Sequence, residues 1–264
     1  NNAKIKKVIV VNNDVAERER FLGYRADVVM TYAVRSPADI HPEKVQTDGG
    51  VTFSVAGTEY RLGLSGEYNV QNALAAIATA LAFEIPKTAI QRGLLLDYVP
   101  GRMEKIDEGQ PFSVFVDYAH DAVSLEAVLP SLRRMLVKGG RLFVTFGGQG
   151  GGRDIKKLPV MGEVSGKYAD VVILTTDDPF DDDPEMLMER IAPGAEQVGK
   201  IRGENLLLIT DRREAIRKAF SLASAGDVVL ITGKGAEQSM VMKQGKIPWD
   251  DRTVVREELK KMQK

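Results

Sequence analysis

The sequence predicts an α/β protein whose larger part is a doubly wound, mostly parallel sheet. Three observations predict it. From about residue 112 onward, short apolar runs alternate with stretches of helical spacing, the rhythm of repeated strand–helix–strand units. The apolar runs are continuous rather than alternating, as in Val171-Val172-Ile173-Leu174, which suits strands covered on both faces. Polar and glycine-rich segments follow four of the strands, where a parallel sheet places its ligand-binding loops.

Before that rhythm begins, residues 1–98 read differently. Val8-Ile9-Val10-Val11 is a buried-type strand and Val28-Val29-Met30 a second. Val51–Val55 and Glu59–Leu62 alternate on either side of Ala56-Gly57-Thr58, a hairpin signal. A helix is expected over about 69–83, with Ala73, Leu74, Ala76, Ile77, Ala80 and Leu81 spread round nearly all of its faces, so it packs on several sides. Another is expected over about 86–95, opening at Pro86, a favoured first-turn residue. Val99-Pro100-Gly101-Arg102 reads as a junction, giving two domains, 1–98 and 99–264. Beyond it, strands fit at about 112–117, 141–146, 170–175, 206–209 and 227–232, and helices at about 122–136, 156–168, 184–192, 211–224 and 250–262.

Bulk properties narrow the class. The 264 residues are 44% hydrophobic and 28% charged, an ordinary globular composition. A net charge of -1 argues against a broad attraction to nucleic acid or anionic membrane. The absence of cysteine excludes disulfides and thiolate metal sites. No run of about 18 apolar residues suggests a membrane span, and no secretory leader opens the chain. A cytoplasmic monomer with no nucleic-acid or membrane partner is expected. The opening Asn1-Asn2-Ala3-Lys4 has no initiator Met and leads almost directly into a strand, so the chain reads as one cut from something longer.

Each polar loop has an ordinary reading beside a functional one. Gly147–Gly152 holds five glycines in six residues, followed by Arg153-Asp154. Such a loop can cradle an anion or be a flexible turn, and it is no P-loop because no Lys-Ser/Thr follows. Arg153 at its end could clamp a carboxylate bidentately. Gly233-Lys234-Gly235 follows another strand; if a helix begins after it, its amides and lysine could hold an anion, and otherwise it is a plain turn. Asp177 to Asp183 places five carboxylates in seven residues. A solvated loop with Asp183 capping the next helix accounts for most of them. Asp177 and Asp178, nearest the strand end, could instead hold an ammonium group. His120 stands three residues after the strand-end Asp117, and Trp249 is most simply a packing anchor for the last helix.

Taken in order, these loops resemble the Mur peptide ligases, and within them the MurE type, the UDP-N-acetylmuramoyl-dipeptide:amino-acid ligases. The resemblance rests on seven motifs: Gly66 to Ala76, Val99 to Glu104, Val116 to His120, the glycine-rich loop ending in Arg153-Asp154, Thr175 to Pro179, Gly233 to Glu237, and Asp250 to Arg256. It implies the C-terminal part of an α/β ATP-binding central domain over 1–98 and a Rossmann-like C-terminal domain over 99–264. It also implies an enzyme of three domains using ATP and Mg2+. ATP phosphorylates a carboxylate of UDP-N-acetylmuramoyl-L-alanyl-D-glutamate, and the amine of a free amino acid attacks the acyl phosphate. By the same resemblance Asn72, Arg102, Asp117 and His120 belong to nucleotide binding. Arg153, Asp177, Asp178, Pro179, Phe180, Gly233, Lys234 and Glu237 belong to the pocket for the added amino acid.

Three departures from the family pattern stand out. The P-loop and the Mg-binding residues have no counterpart in the chain, so as it stands it is expected to bind ATP poorly and not to turn over. The diaminopimelate-specific Asp-Asn-Pro-Arg reads Asp177-Asp178-Pro179-Phe180 here, which removes the partner of a distal carboxylate and points to L-lysine or L-ornithine. Ala236 stands where the family usually has His, and the glycine-rich loop is one residue longer. The alternatives are a folylpolyglutamate-type or other related ligase, and a non-catalytic binding remnant of the family. A dehydrogenase is disfavoured because no G-x-G-x-x-G follows an early strand.

Overall fold

The computed structural model describes residues 5–47, 50–64, 68–95 and 99–262. Gly66 and Glu67, which open the first motif of the resemblance, lie outside the described residues. The chain divides into two compact units, Asn1–Tyr98 and Val99–Lys264.

In the first unit β1 (Val8–Asn12) pairs in parallel with β2 (Val28–Tyr32), joined through α1 (Arg18–Leu22). Then come β3 (Glu43–Gln46), β4 (Val51–Val55) and β5 (Thr58–Leu62), an antiparallel three-stranded sheet. The hairpin turn is tighter than expected. Only Ala56 and Gly57 form it, with φ of 46° and 71°, and Thr58 already pairs with Val55. Positive φ at both central residues matches the right-handed twist of the strands. β3 escaped the sequence reading because all four of its residues are exposed and carry no alternation. The other face of the sheet does alternate: Val51, Phe53, Val55, Tyr60 and Leu62 are buried against Val70, Leu74 and Ile77 of α2 (Tyr68–Ala82) and Ile90 of α3 (Lys87–Leu94). Pro86 sits at the N-cap of α3, one residue before the helix proper.

The second unit runs β6 (Glu104–Ile106), β7 (Ser113–Val116), α4 (Ala122–Met135), β8 (Leu142–Gly148), α5 (Lys157–Tyr168), β9 (Val171–Thr176), α6 (Pro184–Gln197), β10 (Leu206–Leu208), α7 (Arg212–Leu222), β11 (Val228–Ile231), β12 (Ser239–Met242), β13 (Gly245–Pro248) and α8 (Asp251–Met262). Its sheet has the order β10-β9-β8-β11-β7-β6. All pairs are parallel except β6 with β7, which are antiparallel. This is the doubly wound architecture the sequence predicts, with an antiparallel edge strand added.

The strands are apolar on both faces because both faces are covered. Phe115, Val144, Val172 and Leu230 turn to one side and pack on Leu129, Met161 and Ile191 of α4, α5 and α6. Their neighbours Val114, Phe143, Ile173 and Val229 turn to the other side and meet Ile216 and Phe220 of α7 and Val255 and Leu259 of α8. β11 is inserted between β8 and β7, and the chain leaving it reaches α8 on the face opposite α4 and α5. That reversal makes a topological switch point of the carboxyl ends of these strands, where such sheets have their ligand crevice.

Two expectations need correction. The chain after Gly233-Lys234-Gly235 forms the β12–β13 hairpin, not a helix, so no helix N-terminus supports an anion there. α6 does not stop near residue 192 but runs through Pro193 to Gln197. Close packing against α5, where a Cβ on Gly194 would overlap the Pro159 carbonyl, holds the helix together past its proline.

Candidate active-site edge

The carboxyl edge of the second sheet collects the loops after β7, β8, β9 and β11. Asp117 ends the first strand and is buried. Its Oδ2 accepts from the Met103 amide and its Oδ1 from the Ala119 amide, both at 2.8 Å. The carboxylate therefore shapes its own loop and pins the incoming 99–103 segment. It is not presented to a ligand. The same segment presses on the loop after β11. Gly101 has φ +63, and a Cβ on it would overlap the backbone of Gly235 and Ala236.

Three side chains stack beside this anchor. The exposed Arg102 guanidinium lies 4.3 Å from the centre of the Tyr118 ring, and Tyr118 meets the His120 ring edge-on at 4.8 Å. His120 Nδ1 is 2.9 Å from the Tyr118 carbonyl, to which it donates. Asp121 then caps α4 with a capping box, its Oδ1 accepting from the Ser124 amide at 2.8 Å. A planar cation on an aromatic face, next to an imidazole, can hold an anionic or aromatic ligand.

On the other side of the crevice lies an acidic cluster with a lysine at its centre. Lys234 is 1% exposed. Its ammonium is 2.8 Å from Asp178 Oδ1, 2.5 Å from Glu237 Oε2 and 3.8 Å from Asp177 Oδ1. Burial alone would lower its pKa, but Asp177 and the hydrogen bonds to Asp178 and Glu237 hold it above the ordinary lysine value. The anion-holding role considered for this lysine is thus not available, because three carboxylates already occupy it. Asp178 Oδ1 also accepts from the Val241 amide at 2.7 Å, which ties the β9 loop to the hairpin. Glu237 bridges the two halves of the crevice: its Oε1 accepts from the Tyr118 hydroxyl at 3.3 Å.

Asp177 is wholly buried, and among the described residues neither oxygen has a hydrogen-bond partner. Burial pushes its pKa up to about 6, against the pull of Arg212 and Lys234. Gly233 makes room for it, since a Cβ there would meet Asp177 Oδ2. The sequence reading passed over Arg212. Its Nε and Nη2 bind Asp251 at 2.8 and 2.6 Å, and Nη1 and Nη2 donate to the carbonyls of Thr176 and Thr232, the roots of the two acidic loops. The signal was present: arginine in a helix's first turn opposes the macrodipole and calls for a local partner. Trp249 packs beside the core and also donates from Nε1 to Asp251 at 2.8 Å.

Arg153 and Phe180 lie together at the outer end. The exposed Arg153 guanidinium is 5.6 Å from the centre of the Phe180 ring and donates to Gln149 Oε1 at 3.0 Å. Phe180 has φ +55, rare for a bulky residue, and its amide donates to the Val241 carbonyl at 3.1 Å. Pro179 is buried just before it. Asn72 belongs to the first unit, exposed on α2, with its Nδ2 donating to Asn69 at 3.1 Å. Among the described residues no group of three or more His, Asp or Glu side chains is arranged to hold a metal ion, so these residues do not by themselves fit Mg2+. Among the described residues no helix is long and apolar enough to cross a membrane.

Comparison with known proteins adds the family. Residues 101–235 match the Mur ligase glutamate ligase domain, and residues 1–80 match the Mur ligase middle domain. The chain is 40% identical to a UDP-N-acetylmuramyl-tripeptide synthetase of Roseiflexus sp., over 97% of its own length and 51% of the relative's. It is 37% identical to a UDP-N-acetylmuramoyl-L-alanyl-D-glutamate–2,6-diaminopimelate ligase of Geobacillus kaustophilus, over 96% and 52%. The chain thus spans about half the length of the curated relatives it matches. A solved structure of a ligase with the latter name superposes with a TM-score of 0.56 at 30% identity, over 98% of this chain and 54% of that one. A pseudomurein peptide ligase type C from Methanothermus fervidus shares the fold, with a TM-score of 0.66 at 20% identity, over 96% and 56%. The domain matches cover both units, and on them the chain belongs to the Mur ligase family.

Proposed function

We propose that this chain supplies the nucleotide-closing and amino-acid-binding parts of a MurE-type ligase. That enzyme adds the third amino acid to UDP-N-acetylmuramoyl-L-alanyl-D-glutamate. Residues 1–98 are assigned to the central domain and 99–264 to the C-terminal domain. The observation that carries the reading is the crevice edge after β7, β8, β9 and β11. There an exposed arginine on an aromatic platform and a lysine-centred acidic cluster are joined through the Tyr118–Glu237 hydrogen bond.

The chemistry asks for little covalent work from these residues. ATP transfers its terminal phosphoryl group to the D-glutamate carboxylate. The amine of the incoming amino acid then attacks the acyl carbonyl, forming an amide and releasing phosphate, with ADP as the other product. Holding anionic and cationic reactants in register is the main contribution. Arg102 and His120 are assigned to the nucleotide, with Asp117 as support for their loop, and Asn72 to adenine contact. Arg153 is assigned to the α-carboxylate of the donor, and Asp178 and Glu237 to the neighbourhood of its side chain.

The donor is proposed to be L-lysine or L-ornithine. Phe180 stands where the diaminopimelate pattern has Arg, and an aromatic ring cannot pair a distal carboxylate. Leaving that carboxylate buried and unpaired would cost several kcal/mol, roughly. The test incubates the full gene product with ATP, UDP-N-acetylmuramoyl-L-alanyl-D-glutamate and each of lysine, ornithine and diaminopimelate. Phosphate release and the mass of the product are read. Product with lysine or ornithine is expected; product with diaminopimelate alone overturns the donor assignment.

A further inference from the structure

The acidic cluster contains one group that the proposed reaction leaves unused. Asp177 is wholly buried, with no hydrogen bond to either oxygen among the described residues. Buried carboxylates normally find partners, and one that does not needs an explanation. The nearest cation is Lys234, 3.8 Å from Asp177 Oδ1 but 2.8 Å from Asp178 Oδ1 and 2.5 Å from Glu237 Oε2. One ammonium thus stands among three carboxylates, hydrogen-bonded to Asp178 and in ion-pair contact with Glu237. A movement of about 1 Å, easy for a flexible lysine stem, would bring it onto the third.

The surrounding charges favour such an exchange. Among the described residues, the cations facing Asp177, Asp178 and Glu237 from the β9 and β11 loops and Asp251 from α8 are Lys234 and Arg212. Arg212 is committed to Asp251 by two hydrogen bonds. The Tyr118 hydroxyl rests on Glu237, and Arg102 lies over the Tyr118 ring. Two cations thus face four carboxylates, so the cluster is short of positive charge.

We propose that Asp177 is a second seat for the Lys234 ammonium. A donor amino acid with a side-chain ammonium takes the place of Lys234 at Asp178 and Glu237, and Lys234 moves onto Asp177. This rests on the amino-acid pocket proposed above. The added cation supplies the missing charge, and the displaced one satisfies the orphaned carboxylate. A neutral side chain can do neither, and an anionic one is repelled. Asp177 is a positioning residue, because it acts through Lys234 and does not touch the donor.

The test measures equilibrium binding of L-lysine and of L-norleucine, which has the same carbon chain without the ammonium, to the full gene product. The wild type is expected to prefer lysine by about tenfold or more at neutral pH, as for a hydrogen-bonded charge pair. Asp177→Asn should abolish most of that preference, read as the ratio of lysine to norleucine affinity, and Asp177→Glu should keep part of it. In the wild type the preference should shrink below about pH 6, where Asp177 takes up its proton. A purely structural role would not move the ratio of the two ligands. The inference is overturned if the Asn variant keeps the full preference, or if the wild type shows none. Should that variant fail to fold, the wild-type pH profile decides alone, and a preference unchanged down to pH 5 (about one unit below the Asp177 pKa of about 6) overturns it. The ligase reading fails separately: no ADP formed with any amino acid would remove it, even where the Asp177-dependent preference for lysine is found.

Discussion

Replacing Asp177 by asparagine is expected to make the protein more stable at neutral pH, by a margin that vanishes in acid. The side chain is wholly buried and lacks hydrogen bonds, and burial raises its pKa from 3.8 to about 6. The folded state therefore holds the proton more tightly than the unfolded chain does. Stability falls as pH rises through the window between those two values, and stays lowered above it. A displacement of about two pH units corresponds to about 3 kcal/mol. Asparagine keeps the shape without the charge. The variant should gain up to ~3 kcal/mol at pH 8 and about nothing at pH 4. Urea denaturation of both proteins across that range reads the difference directly. Equal stability at pH 8, or a loss, would refute the claim that Asp177 is held ionised and unsatisfied. The gain should accompany the loss of lysine preference, since stabilising changes at functional groups commonly trade against function.

Further outcomes are expected at the site and in the core. Arg153→Ala in the full gene product should raise KM for the donor amino acid roughly 10- to 100-fold, the range for a lost hydrogen bond to a charged group, with ATP kinetics little changed. Steady-state kinetics checks this, and an unaltered amino-acid KM removes Arg153 from that pocket. Arg102→Ala should weaken ATP use by about tenfold, through loss of one cationic contact, and leave the donor KM in place. Unchanged ATP kinetics would count against its assignment. Leu129→Ala empties a fully buried position between α4 and the sheet and should cost 2–5 kcal/mol, roughly, in thermal or chemical unfolding. A loss below about 1 kcal/mol would mean that the site collapses round the gap.

Much of the second unit was legible because its signals are local. Continuous apolar runs marked β8 and β9, and helical spacing marked α4 and α5, with bounds within a few residues of those observed. The strands that escaped lack such signals. β6 is three residues long, and β12 and β13 lie where glycine and lysine had suggested a helix start. The antiparallel pairing of β6 depends on β7, and no periodicity inside Glu104–Ile106 announces it. The site was legible in part. Arg102, His120, Arg153, Asp178 and Glu237 do line one edge, because the rule that polar loops follow parallel strands is itself local.

From the order of its residues alone, the chain determined its class, its alternation of layers and the edge on which its polar loops gather. Periodicity, turn residues and motif order carry those features within short windows. Tertiary structure alone decided which polar groups are presented and which are consumed. Asp117 and Lys234 carry no mark in sequence that sets them apart from the exposed Arg102 and Arg153, yet one is spent on backbone amides and the other on carboxylates. Tyr118 and Glu237, 119 positions apart, meet at that edge because β11 lies beside β7. Arg212 reaches Asp251, 39 positions away, because α7 and α8 cover the same face. Such partnerships depend on strand order and on which face each helix covers, and no local pattern encodes them.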